Sequence, residues 1–241
     1  MKKTIFTTAL FLIGFGLPVL QGQTQFSGWL ASFNTIKTGK KTSLHTDIQW
    51  RSSDRWAHTQ TLLLRPGLNL HLKKGFTLST GYAFISNRRV IGAATGYLTE
   101  HRAWEQLLYN HKVNRLSVAH RLRLEQRFLP KALVVDDRVE KEGTGYASRV
   151  RYFIRNVYPL SRGPEFSKGV FAALQNEVFL NIGNTRQVNG KLFDQNRLYL
   201  AMGYRLSPSF DLEAGYFNHY TQGSSSFTNN HVIQAAGYLR L

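Results

Sequence analysis

The stretch Arg115–Phe128, RLSVAHRLRLEQRF, alternates between two kinds of side chain. Leu116, Val118, His120, Leu122, Leu124, Gln126 and Phe128 form one set; Arg115, Ser117, Ala119, Arg121, Arg123, Glu125 and Arg127 form the other. Successive side chains of a strand point to opposite faces, so the segment reads as a strand with one greasy and one charged face. A soluble β-sandwich would turn the greasy face to its core. A strand of about 9–11 residues crossing an outer membrane would turn it to lipid and the charges to a lumen. The remainder of the chain has to choose between these.

The start of the chain favours the membrane. Lys2 and Lys3 precede the apolar run Ile5–Leu17, followed by Pro18 and a polar end, the pattern of a secretory leader. We expect residues 1–23 to be the signal peptide, cut near Gly22–Thr24, and residues 24–241 to form one barrel domain. The sequence has no Cys, so the mature chain carries neither a cysteine-linked lipid nor a disulfide framework. Loss of Lys2 and Lys3 lowers the formal charge from +17 to +15. Such a charge would ordinarily raise nucleic acid as a partner. Here the basic residues lie on alternate strand positions, with no basic helix and no zinc-ligand spacing, and export argues against nucleic acid too. Aromatics make up 13% of the sequence, which suits interfacial girdles around a barrel.

Candidate strands follow one another to the end: Gln25–Ile36 (weak), Lys41–Arg51, Thr59–Leu72, Phe76–Asn87, Thr99–Tyr109, Arg115–Phe128, Gly145–Val157, Gly169–Ile182, Leu192–Leu206, Phe210–Gln222 and His231–Leu241. Pro66, within the greasy face Leu62–Leu72, is a misfit because it gives up a ladder hydrogen bond. Short connections (Lys73–Gly75, Asn110–Asn114, Ser207–Ser209) alternate with longer ones (Ser52–His58, Arg88–Leu98, Leu129–Thr144, Gly183–Lys191, Gly223–Asn230), as in outer-membrane barrels. Tyr158–Lys168 is a long connection on the short-turn side. The terminal Leu239 and Leu241 form a loose version of the signal read by barrel-assembly machinery. Single-chain bacterial barrels have even strand numbers. The reading is therefore an all-β, antiparallel transmembrane β-barrel of ten or twelve strands. In the ten-stranded version Gln25–Ile36 is a periplasmic or inserted piece.

Any chemistry would sit on the inward face. The candidate lumen-lining residues are Glu105, Arg121, Arg123, Glu125, Arg127, Arg149, Arg151, Arg155, Glu177, Arg197, Arg205 and Glu213. If the hairpin turns about Val113, Glu105 lies opposite Arg121 and His101 opposite Glu125, giving favourable cross-strand pairs. Arg123 then sits among Glu105, Glu125 and Glu177. The plain reading is a lumen filled by Arg–carboxylate pairs that rigidify a narrow barrel. The sharper reading is an anion-attracting channel for small anionic solutes, since inward Arg outnumbers inward carboxylate. Loop cations (Arg88, Arg89, Lys131, Arg138, Lys141, Arg186 and Lys191) could meet lipopolysaccharide phosphates at the outer-membrane lipid surface, or be an ordinary solvated rim. An outer-membrane hydrolase with a rim site is the alternative; Asp136, Asp137 and His219 are its candidates, against the plainer reading of a solvated loop and an aromatic girdle. No nucleophile elbow, zinc helix or phosphate loop is present, and neither a metal site nor a cofactor is expected.

Taken together, the runs TEHRAWEQ (Thr99–Gln106), RLRLEQRF (Arg121–Phe128), RVRYFIR (Arg149–Arg155), NEVFLN (Asn176–Asn181) and FDQNRLYLAMGY (Phe193–Tyr204) resemble an uncharacterised Gram-negative outer-membrane β-barrel family, known only by a domain-of-unknown-function label. The resemblance extends from about Trp29 to the C-terminus. It implies a fold and a location, and no reaction.

Overall fold

The computed structural model describes residues 22–161 and 166–241. All but the last two residues of the expected leader lie outside the described residues. Eleven strands close into one barrel. They are β1 (Gly22–Lys37), β2 (Thr42–Ser53), β3 (His58–His71), β4 (Phe76–Ile91), β5 (Ala94–Val113), β6 (Leu116–Val135), β7 (Arg138–Pro159), β8 (Gly169–Ile182), β9 (Phe193–Ser207), β10 (Phe210–Gln222) and β11 (Phe227–Arg240). Every chain-adjacent pair is antiparallel.

The strand number lies between the ten and twelve weighed from parity, and the segment Gln25–Ile36 is part of the wall. With an odd count the first and last strands run the same way, so the seam between β1 and β11 is parallel, from Gly22↔Phe227 to Thr35↔Arg240. Parallel ladders pair slightly less well per residue, and side chains reinforce this one. Phe33 stacks on Tyr238 inside the barrel at 4.9 Å between centroids, and Phe26 stacks on His231 outside at 5.1 Å.

The alternation that defined the strands also defines the two sides of the wall. Leu62, Leu64, Leu68 and Leu70 of β3, and Phe76, Leu78, Tyr82 and Phe84 of β4, are exposed on the outside. Much of the apolar burial inside gathers in clusters. Trp104 is fully buried with Leu63, Ala83 and Ile85. It lies against Gly67 and Gly81, where an added Cβ would come within 2.5 Å of its ring. Both positions must therefore stay without a side chain. A second cluster contains Trp29, Phe171, Tyr199, Phe217 and Val232, with Tyr199 and Phe217 stacked at 4.2 Å. Pro66 behaves as its missing N–H requires: the β3·β4 ladder passes from Leu64↔Phe84 to Gly67↔Gly81 with no pairing between.

Two of the expected longer loops are strand. β4 and β5 continue to a tight turn at Gly92–Ala93, and β6 and β7 continue to one at Asp136–Asp137. Gly92, Asp136 and Asp137 all have positive φ, at 59°, 45° and 59°, as tight hairpin turns demand. These extensions give alternation little to read because apolar residues occur on both faces, as in Val90–Ile91 and Leu133–Val134–Val135, and because a register shift at Lys131/Ala132 breaks the period. Their inner faces meet through Ala94, Leu98 and Val139, with Val139 set against Gly96.

Candidate functional site

The inner faces of β5 to β9 carry one connected set of guanidiniums and carboxylates. Across β6 and β7, Glu125 stands opposite Arg149 and Arg123 opposite Arg151. The Glu125 carboxylate accepts from Arg149 at 2.6 Å, from Arg151 at 2.5 Å and from Arg102 at 3.4 Å. Arg149 also reaches Asp194 at 2.6 Å. Arg151 and Arg121 share Glu177, at 2.8 and 2.7 Å. At the far end of β5, Glu100 accepts from both Arg102 and Arg127 at 2.7 Å. Glu125, Glu177 and Glu100 therefore each serve at least two cations, and Asp194 serves Arg149. That is how so many buried charges are tolerated, because an unshared one would keep its full desolvation penalty. Phe179, fully buried, adds a ring face to Arg149, Arg151 and Arg197, with guanidinium carbons 5.0, 4.4 and 4.6 Å from its centroid.

Three inward arginines are held differently. Among the described residues, Arg51, Arg123 and Arg197 have no carboxylate within 4.0 Å. Each instead donates to a glutamine and lies over an aromatic ring. Arg51 donates to Gln49 at 2.6 Å and lies over Trp29 at 4.2 Å. Arg123 donates to Gln106 at 2.6 Å and lies over Trp104 at 4.8 Å. Arg197 donates to Gln195 at 2.9 Å, with Trp29 at 5.4 Å. Their positive charge is oriented without being neutralised.

A cavity of about 170 Å³ lies between these groups, bordered by Trp29, Arg51, Arg65, Arg121, Arg151, Arg155 and Arg197, with Asp47 and Glu177. Asp47 is already paired with Arg65 at 2.7 Å. A second cavity of about 310 Å³ opens towards the short-turn end beside Arg115, Arg155, Arg205, Asp211 and Tyr238. Arg155 and Tyr238 border both cavities. Both also hydrogen-bond Glu213, Arg155 through its guanidinium and Tyr238 through its hydroxyl at 3.1 Å. This cluster therefore stands between the two spaces. Arg205 is engaged by Asp211 at 2.8 Å.

One candidate is displaced. Glu105 lies on the outer surface, exposed, and opposite Leu124 rather than Arg121. The hairpin turns at Asn114–Arg115, so Val113 pairs Leu116, a register three residues away from one centred on Val113. An odd shift moves every side chain of the strand to the other face. His101 goes outside with Glu105, and Glu100, Arg102, Trp104 and Gln106 come inside. The same shift corrects the surroundings of Arg123, which contacts none of Glu105, Glu125 or Glu177 within 4.0 Å. Arg123→Leu is consequently expected to cost less than about 2 kcal/mol, because it strands no carboxylate and removes a buried charge. The urea midpoint of the folded gel band checks this. A loss as large as that from replacing Arg149 would contradict the contacts described.

His219 points inside, not into an outer girdle; it hydrogen-bonds Gln195 and Thr221 and meets Trp29 edge-on. Asp136 and Asp137 form a hairpin turn on another pair of strands. Among the described residues no group of three or more His, Cys, Asp or Glu could hold a metal ion. Arg51, Arg65, Glu100, Arg102 and Asp194 also belong to the interior set. Arg51 and Arg65 alternate with the outward Trp50 and Leu64, and the three-residue register difference brings Glu100 and Arg102 inside.

A family model described as "Protein of unknown function (DUF2490)" matches residues 26–231. The chain belongs to that family. No curated protein matches it. Among solved structures, one titled "NanC porin structure in rhombohedral crystal form" is similar in fold to this DUF2490 chain. The TM-score is 0.53 at 11% identity, over 89% of this chain and 98% of that one.

Proposed function

We propose that this DUF2490 protein is an outer-membrane barrel, exported by the leader 1–23, that forms a narrow channel favouring small anions. The observation that carries the reading is the pair Arg51 and Arg197. Both border the central cavity and both are held by glutamine and Trp29 without a carboxylate within 4.0 Å. Fixed, uncompensated positive charge in a narrow polar space attracts anions and repels cations. The apolar exterior supplies the lipid-facing surface, and the porin-like fold supports the class. The small cavity volumes argue for small solutes and low conductance. Exposed cations on the strand extensions, such as Lys131 of β6 and Arg138 of β7, would face lipopolysaccharide phosphates, and the C-terminal strand would be read by the barrel-assembly machinery.

The test is planar-bilayer recording of the purified, heat-modifiable protein under a potassium chloride gradient. We expect small unitary currents whose reversal potential has the sign of chloride preference. Arg51→Gln with Arg197→Gln should lower the chloride-to-potassium permeability ratio several-fold. Cation preference, or silence from well-folded protein, would contradict the proposal.

A further inference from the structure

The carboxylate that the register turns outward lies where lipid should be. On the outer face of β5, Glu105 is four residues from Tyr109 and four from His101. Both of those belong to ring clusters: Tyr109 with Phe76, His111 and His120, and His101 with Tyr82 and Phe84. At about 3.3 Å per residue, His101 and Tyr109 each lie roughly 13 Å along the strand from Glu105, with Tyr82, opposite Ala103, the nearer ring at about half that distance. Glu105 thus occupies the middle of the apolar exterior band. It borders an outer groove of about 590 Å³ whose walls include Leu70, Leu78, Leu107, Leu122 and Leu124. Ionisable residues at such a depth are rare and ordinarily find a polar partner.

Among the described residues it has only one. Gln126 Nε2, on the outer face of β6, donates to Glu105 Oε2 at 3.1 Å. Among the described residues, the second carboxylate oxygen of Glu105 and the second N–H of Gln126 have no partner, and Gln126 Oε1 is buried without one. The patch therefore offers one unused acceptor and one unused donor, side by side at one depth. A lipid tail can satisfy neither. A second copy of the same patch satisfies both, because its Gln126 can donate to this Glu105 and its Glu105 can accept from this Gln126. An isologous contact has this reciprocity. Two copies inserted in the same direction share a two-fold axis along the membrane normal, which brings the patches together at equal depth.

We propose that the outer face of β4–β6 around Glu105 and Gln126 is the contact surface between two copies of this chain. The inference stands on the exterior wall and is independent of whether the lumen conducts. Since the sequence has no cysteine, single cysteines report the contact cleanly. Leu124→Cys, oxidised with copper-phenanthroline in native membranes, should give a crosslinked dimer as a major species. Leu200→Cys, exposed on β9, should give little. Adding Glu105→Leu to Leu124→Cys should reduce the crosslink several-fold while the monomer remains heat-modifiable, and Glu105→Gln should restore it. Absence of the Leu124→Cys crosslink, equal crosslinking at Leu200→Cys, or crosslinking indifferent to Glu105→Leu would each overturn the proposal, the last by assigning the patch to lipid.

Discussion

Glu125→Leu should cost the folded barrel about 3–5 kcal/mol, the range for removing one partner from a buried ionic network. Its carboxylate, with 1% of the side chain exposed, receives Arg149 at 2.6 Å, Arg151 at 2.5 Å and Arg102 at 3.4 Å. Leucine fills much of the same space and accepts nothing. Arg149 would retain Asp194 and Arg151 would retain Glu177, so the network would be weakened at its centre and not dissolved. Glu125→Gln, which keeps the shape and an acceptor, should fall between leucine and the parent. The readout is the urea concentration at which the fast, folded gel band converts to the slow one. An unchanged midpoint for Glu125→Leu would mean that the pairs add nothing beyond solvated arginines. The exposed contact of His58 with Asp54 at 4.0 Å is the contrasting case. Pairs of that kind contribute between roughly 0 and 1 kcal/mol.

Leu122→Arg is expected to impair assembly, by roughly 2–4 kcal/mol if the position lies near the bilayer midplane. Leu122 is 51% exposed on the outer face between Arg121 and Arg123, both directed inward. One residue along the strand thus separates a position where a guanidinium is held by ring and amide from one where it would meet lipid. Outer-membrane yield and heat-modifiability of Leu122→Arg, beside Arg123→Leu, measure the difference. Normal assembly of the first with failure of the second would mean that the two faces have been exchanged.

Much of this wall was legible from alternation alone. The greasy leucines of β3 chosen from the sequence are exposed on the outside, as are Leu122, Leu124 and Phe128 of β6, although Val118 of that same set is buried. There the contrast between faces is strong, and period two leaves no other arrangement. β5 was misread because its faces differ less in polarity: Ala103, Glu105 and Leu107 alternate with Arg102, Trp104 and Gln106. Trp104 on the inner face, seated on Gly67 and Gly81, looks from sequence like an outward residue. The decision then rested on the position of a turn, and a three-residue error in that turn carried Glu105 to the wrong side. The outer halves of β5, β6 and β7 were missed for a related reason, since neither face of those extensions offers a contrast to read.

Alternation by itself determined that this chain would build a β-wall with a greasy and a charged side, because side-chain direction along a strand is a local property of the backbone. Register, closure and pairing are not local, and the tertiary structure decided them. The odd strand count is resolved only when β1 meets β11 in parallel, a contact between the two ends of the described chain. Glu177 serves Arg121 across 56 residues, and Glu213 serves Arg155 across 58. Which arginines stay without a carboxylate depends on which strands the ring makes neighbours. So does the outward place of Glu105: its spacing from Arg121 is a fact of the sequence, but the face it occupies depends on where the hairpin turns.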